Sequence, residues 1–227
     1  RGFLCFDLDG SAKTSALLTG QELKGIASLL LLASKVKEEV TRVKERFPEF
    51  SQLGRKIRDF SEEIKALEVL DDDGRVYDHA SSTLKELRRK LESLRAATRN
   101  TGQALLNEPG TAAMLQDRVL SLRNGRFVVL VKTEHVGSYP GIVTDRSSSG
   151  NSYYVEPYKL AALNNKLAVA VEEERQEELR VLRKLTLLVL ARESAIQEAE
   201  EALGWLDLLS AGAEMVEKSK WNLPELS

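Results

Sequence analysis

Sulfur chemistry is nearly missing from this chain of 227 residues. Its single cysteine, Cys5, excludes an internal disulfide framework and suits a reducing compartment. Long apolar runs are missing too. Leu29–Ala33 and Leu187–Ala191 are the longest, each flanked by charge and far short of the roughly 18–20 residues that span a bilayer. No basic stretch followed by an apolar core marks a signal peptide, and no methionine opens the chain, which reads as cut from a larger intracellular protein. Aromatics are 6% and prolines only five, while 30% of residues are charged and Leu, Glu, Lys, Arg and Ala dominate. That mixture belongs to long helices that bury one stripe and solvate the rest. The net charge of −2 gives no global pull toward a polyanion or a membrane, so any such binding requires a local patch.

Helical periodicity fills the first part of the chain. Thr19-Gly20-Gln21-Glu22 is a capping-box pattern that launches a helix with Leu23, Ile26, Leu30, Ala33, Val36, Val40 and Val43 on one face, running to Arg46 and closed by Phe47-Pro48. Two shorter helical pieces are expected around Glu49–Phe60 and, capped by Ser61, through Leu70, followed by a polar turn at Asp71–Arg75. Ser81-Ser82-Thr83 with Glu86 reads as a second capping box. The helix behind it carries Leu84, Leu87, Leu91, Leu94 and Thr98 at alternating spacings of three and four, a coiled-coil seam that fades near Asn107.

The pattern then changes to a period of two. Arg118–Arg123 and Arg126–Lys132 flank Asn124-Gly125, the strongest short-range hairpin signal, and two further strands are expected at Gly141–Asp145 and Ser152–Glu156. Pro157 opens a helical pattern free of proline and glycine from Tyr158 to Leu203, on the order of 70 Å at 1.5 Å per residue. Its seam of Leu185, Val189, Ile196, Ala199 and Leu203, interrupted by Arg192, is expected to lie on the Leu84–Leu94 seam. The fold class that follows is mostly α with a small antiparallel β-module. Its expected organisation is a helical core segment (1–79), an outgoing lever helix (80–108), a β-rich clamp (109–156), a returning lever helix (157–204) and a return to the helical core (205–227).

Enzyme signals are thin. Phe6-Asp7-Leu8-Asp9-Gly10-Ser11 resembles the first motif of haloacid-dehalogenase phosphatases, which need two carboxylates at a strand end of a parallel sheet. The following hundred residues lack the β–α alternation that builds such a sheet, so a solvated loop is the better account. Gly10–Thr14 lacks the glycines of a phosphate loop. His79 and His135 have no metal-ligand spacing, and no nucleophile–base pair stands out. The β-module is more informative. Between Arg118 and Glu156 its cations are Arg118, Arg123, Arg126, Lys132 and Arg146, against Glu134, Asp145 and Glu156. Arg123 and Arg126 flank the turn and are expected to project at the exposed end of the hairpin, where they suit phosphate contacts made without base reading. Arginines that only solubilise an exposed sheet are the bland alternative. Tyr153 and Tyr154 offer ring faces to bases, although in a strand one of the two must face inward.

Several linked blocks give the β-module a family likeness: Arg123–Lys132, Pro140–Asp145 with Ser147–Gly150, and Tyr154–Pro157. With Val69–Gly74 and Ala80-Ser81 upstream and Leu163-Asn164-Asn165 downstream, the chain resembles the core, lever and clamp of type 2 MutS proteins, over residues 67–205 and less sharply over the first 66. Two positions depart from the family pattern: Leu130 stands where proline is expected and Thr144 where histidine is common. The resemblance implies a homodimeric ATPase that grips nucleic acid, above all branched DNA, through lever and clamp. It also implies a link to suppression of recombination, with rescue of collided ribosomes through ribosome or rRNA contacts, or a purely structural dimerisation arm, as alternatives. ATP and magnesium are then expected for the full-length protein and no cofactor for this segment, whose ATPase and small nuclease-like domains would lie outside it. The implied site is nucleic-acid binding by Arg123, Arg126, Lys132, Arg146 and Arg118, with no catalytic or metal residues. No membrane association is implied. The implied location is cytoplasmic, at the nucleoid or ribosome, or in a plastid for a plant protein.

Overall fold

A computed structural model describes residues 17–46, 48 and 54–219. Cys5, the Phe6–Ser11 and Gly10–Thr14 motifs, and residues 49–53 of the expected second helix lie outside the described residues. The chain is mostly helical with one four-stranded antiparallel sheet, and it divides into two compact units: residues 1–80 with 180–227, and residues 81–179.

The first unit is built on α1 (Gly20–Val43). Thr19 and Glu22 form the expected capping box, the Glu22 amide donating to Thr19 Oγ1 and the Thr19 amide to Glu22 Oε2. Leu23, Ile26, Ala27, Leu30, Ala33 and Val40 form its buried stripe. The helix stops at Val43, three residues short of Arg46, in a turn closed by the Arg46 amide on the Val43 carbonyl. Residues 54–56 are helical, and α2 (Ser61–Leu67), which follows them, also differs from expectation at its start. Ser61 is its first residue and not its cap; Asp59 instead accepts from the Ser61 amide and hydroxyl, and these bonds hold the Asp59 carboxyl below its ordinary value.

The polar turn at Asp71–Arg75 has a structural task. Asp71 Oδ1 accepts from the Asp73 and Arg75 amides at 2.9 and 2.7 Å, and Leu70 and Val76 form a single bridge behind it. Gly74, at a φ of +78°, meets the start of α1 so closely that a Cβ on Gly20 would lie 1.8 Å from the Gly74 carbonyl oxygen.

The long helical pattern is broken once. α5 (Tyr158–Leu190) and α6 (Glu193–Ser219) are separated at Ala191-Arg192, where the Arg192 amide tightens onto Val189 and the Arg192 carbonyl takes the first bond of α6, from Ile196. Arg192 is engaged at this break. Its Nη2 donates to the Asp59 carbonyl at 2.8 Å, and Nε stands 3.1 Å from the carboxylate of buried Glu63. Leu185, Val189, Ile196 and Ala199 are buried as the pattern requires, while Leu203 is half-buried.

The second unit holds α3 (Ser82–Leu106), a short α4 (Pro109–Ala112), β1 (Leu115–Arg123), β2 (Arg126–Lys132), β3 (Gly141–Arg146), β4 (Ser152–Pro157) and α5 up to residue 179. Ser81 caps α3 by accepting from the Leu84 amide. Because Leu84, not Glu86, occupies the third helical position, no reciprocal capping box forms, and the Ser81 hydroxyl donates to Glu177 instead. The sheet order is β1-β2-β4-β3. All four strands fall where alternation places them. Asn124 and Gly125, at φ of 48° and 75°, make the left-handed pair that a type I′ hairpin requires. Val129, Val131 and Val155 close over Leu106, Leu115 and Tyr139 in a core that Tyr153 joins at its margin.

The partner of the α3 seam is a correction. Leu91 packs on Leu167 and Ala170, with Leu94 and Phe127 beside them, and not on residues 185–203, which belong to the other unit. Antiparallel pairing is counted outward from the connection. Ser81 meets Glu177, Arg88 meets Glu174 and Lys90 meets Glu173, so α3 ends before residue 185 is reached.

Candidate nucleic-acid interface

The five cations singled out in the sequence sit on one sheet but in different circumstances. Arg118 is exposed on the edge strand β1 and makes no ion pair or side-chain hydrogen bond among the described residues. Arg123, at the last position of β1, lies 4.3 Å from the Tyr154 ring centre and donates from Nη2 to its hydroxyl at 2.6 Å. The cation is thereby held against a ring face while remaining exposed. Arg146 ends β3. Its Nε and Nη2 reach the Gly150 carbonyl at 3.3 and 3.1 Å, which shapes the Ser147–Asn151 loop, and its guanidinium stands 5.7 Å from the Tyr153 ring. Lys132 donates to the Ala113 carbonyl at 3.2 Å across the root of the hairpin.

Arg126 departs most from expectation. It does not project freely beside the turn. Its Nε and Nη2 form a two-pronged pair with Glu156 at 2.7 Å each, and Nη2 also donates to Asn165 Oδ1 at 2.7 Å. Glu156 is only 3% exposed. Burial pushes its carboxyl up, but the hydrogen bonds from Arg126 and Asn164 and the arginine charge outweigh this and leave it below the ordinary value. The same pair raises Arg126. Breaking a buried ion pair by removing one member is costly, so Arg126 serves the fold whatever else it touches.

Sequence reading passed over the centre of this network. Asn164, fully buried in α5, donates from Nδ2 to Glu156 and also bonds the backbone of Phe127 in β2. An amide in an otherwise Leu- and Ala-rich helical stretch was the available signal, since a buried asparagine must be matched on both its donor and acceptor sides.

The paired helices carry their own charge order. Arg88 spans Glu174 at 3.0 Å and Glu178 at 3.4 Å, and Lys90 meets Glu173 at 2.8 Å. Glu172 is held at about 2 by Arg175 and Gln176. Among the described residues no group of three His, Cys, Asp or Glu could hold a metal ion, and no helix is long and apolar enough to cross a membrane. His79 stacks on Tyr77 with ring centres 5.3 Å apart, and His135 lies 3.6 Å from Glu134. Chemically, the sheet offers exposed guanidinium groups, two of them over tyrosine rings, beside a rigid polar anchor. That equipment suits anion contact.

No protein-family model matches the chain. Curated relatives do. The protein named endonuclease MutS2 from Geobacillus sp. (strain WCH70) is 34% identical over 98% of this chain, which covers 29% of that protein. The endonuclease MutS2 of Thermus thermophilus is 36% identical over 90% of the chain and 27% of its own length. The putative endonuclease MutS2 of Bacillus subtilis is 35% identical over 77% of the chain and 23% of its own length. The chain thus spans less than a third of the relatives it matches. Identity at this level over most of the chain makes it a homologue of one segment of the MutS2 proteins.

Proposed function

We propose that this chain is the lever-and-clamp portion of a MutS2 protein and grips the backbone of branched DNA without reading sequence, in the service of suppressing recombination. The observation that carries the reading is the outer hairpin. Arg118 and Arg123 stand exposed on β1, an edge strand, while Arg126, Glu156 and Asn164 fix the hairpin on the sheet face that Arg123 shares. Phosphate recognition needs exposed cations on a stiff support; Arg123, paired directly with Arg126 and held on Tyr154, meets that need, and Arg118 adds an exposed cation where the pairing of β1 with β2 shifts register. Arg118 and Arg123 are the principal contacts in this reading, with Arg146 and Lys132 at the margins and Arg126 chiefly as support. The domain limits suggested by the sequence go with it, as does assembly into a homodimer in the cytoplasm. ATP hydrolysis, with its magnesium, and nuclease chemistry would be the work of other parts of a longer protein.

The test is fluorescence anisotropy with a labelled four-way junction, with unlabelled junction, linear duplex and ribosomes as competitors. Binding that the junction competes best, and that Arg118→Glu with Arg123→Glu reduces about tenfold or more, supports the reading. Binding indifferent to that double change removes the hairpin from the interface. Competition won by ribosomes transfers the role to ribosome docking.

A further inference from the structure

Charge is segregated along the paired helices in a way that packing does not require. From Ser93 to Leu106, α3 carries Arg95 and Arg99 and no acidic residue; from Tyr158 to Val171, α5 carries Lys159 and Lys166 and again none. The next seven residues, Glu172–Glu178, hold five glutamates, answered by Arg88, Lys90 and Arg175. The end of the helical pair next to the sheet is therefore cationic, while the far end, residues 82–92 with 172–178, is a belt of seven glutamates against five cations and is acidic on balance. Lys159 pairs with Glu108 at 2.9 Å, whereas Arg95, Arg99 and Lys166 are exposed and form no ion pair among the described residues. Lys166 stands on the rim of a groove of about 310 Å³ whose other walls are Lys90, Leu94, Val169 and Asn165, the residue that accepts from Arg126.

Solvation of an exposed helix face is served equally well by glutamate, so these cations serve neither packing nor pairing. We infer that the nucleic-acid surface continues from the sheet onto the first 20 Å or so of the helical pair, through Arg95, Arg99 and Lys166, and ends where the glutamate belt begins. The partner is a sugar-phosphate backbone. Phosphates meet the uncompensated cations, and the belt turns the strand away by like-charge repulsion. The inference rests on the clamp reading above and extends its footprint by about half a helical turn of duplex.

The experiment uses the whole chain and the labelled junction. Arg95→Gln with Arg99→Gln, and separately Lys166→Gln, are compared with Lys85→Gln plus Arg89→Gln, which removes two exposed cations from the belt end of α3. The first pair is expected to weaken binding about 5- to 20-fold and to flatten the dependence of log K on log salt by roughly 1–2, Lys166→Gln to lower affinity a few-fold, and the belt pair to change it less than twofold. Circular dichroism and melting temperature confirm that each variant folds. Equal losses from both pairs would mean that only net charge matters and would overturn the inference. Unchanged binding in the first pair, with loss on Arg118→Glu plus Arg123→Glu, would confine the footprint to the sheet and overturn it while leaving the clamp reading intact. A parent chain that binds no nucleic acid defeats both.

Discussion

Asn164 holds Phe127 by both of its main-chain groups: its Oδ1 accepts from the Phe127 amide and its Nδ2 donates to the Phe127 carbonyl, each at 3.0 Å. A helix side chain thus takes the place of a neighbouring strand and fixes α5 to β2. Because Nδ2 also serves Glu156, which in turn binds Arg126, one amide ties together helix, hairpin and ion pair. Buried networks of this kind stabilise only when every member is matched, and this one is.

Removing that amide should be costly. Asn164→Ala strands two backbone groups and part of a carboxylate in a fully buried site, and is expected to lower stability by about 2–4 kcal/mol. Asn165→Ala, at an exposed position, should cost less than about 1 kcal/mol. Urea unfolding of the two variants measures the difference, and equal losses would mean that the network does not anchor the sheet.

The Glu156 carboxyl gives the fold a defined acid sensitivity. Its folded value lies below the ordinary 4.5, so its contribution to stability is complete above that value and is lost as pH falls through the folded one. Glu156→Gln should therefore melt well below the parent at neutral pH, with the gap closing in acid. A gap independent of pH would show that shape, not charge, is what the substitution removes.

Gly20→Ala sets helix propensity against contact. Alanine favours a helix over glycine by about 1 kcal/mol, but the new Cβ would sit 1.8 Å from the Gly74 carbonyl oxygen, and backbone on both sides leaves little room to yield. A net loss of roughly 2 kcal/mol or more is expected from thermal unfolding. A neutral or stabilised variant would contradict the close approach of turn and helix.

Arg88 answers two glutamates on α5 from partly buried positions. A double-mutant cycle of Arg88→Ala with Glu174→Ala is expected to give a coupling of about 0.5–1.5 kcal/mol, above that of the exposed Lys90–Glu173 pair. Equal couplings would deny any benefit from burial.

Strands and hairpin were legible because period-two patterning and Asn-Gly act locally; every expected strand appears within a few residues. Helix pairing was less legible, for a geometric reason. Apolar spacing identifies the Leu84–Leu94 and Leu185–Leu203 seams equally well but does not say which pieces meet. Only counting outward from the sheet shows that Leu91 must reach Leu167. The break at Arg192 left no proline or glycine to announce it, since Arg192 is engaged by Asp59 and Glu63, more than a hundred residues away in sequence. In the candidate site, residue type located the arginines, but type alone could not tell the ion-paired Arg126 from the unpaired Arg118. That distinction depends on Glu156 and Asn164, which only the folded chain brings together.

In the proposed reading, phosphate contacts from the sheet hold the nucleic acid. That reading is tested most directly by measuring affinity for a four-way junction across a range of salt concentrations. The account predicts a steep linear fall of log K with log salt, corresponding to several displaced counterions, and a slope lowered by roughly 2 in the chain carrying Arg118→Glu and Arg123→Glu. A flat salt dependence, or the same slope in the double variant, would contradict it.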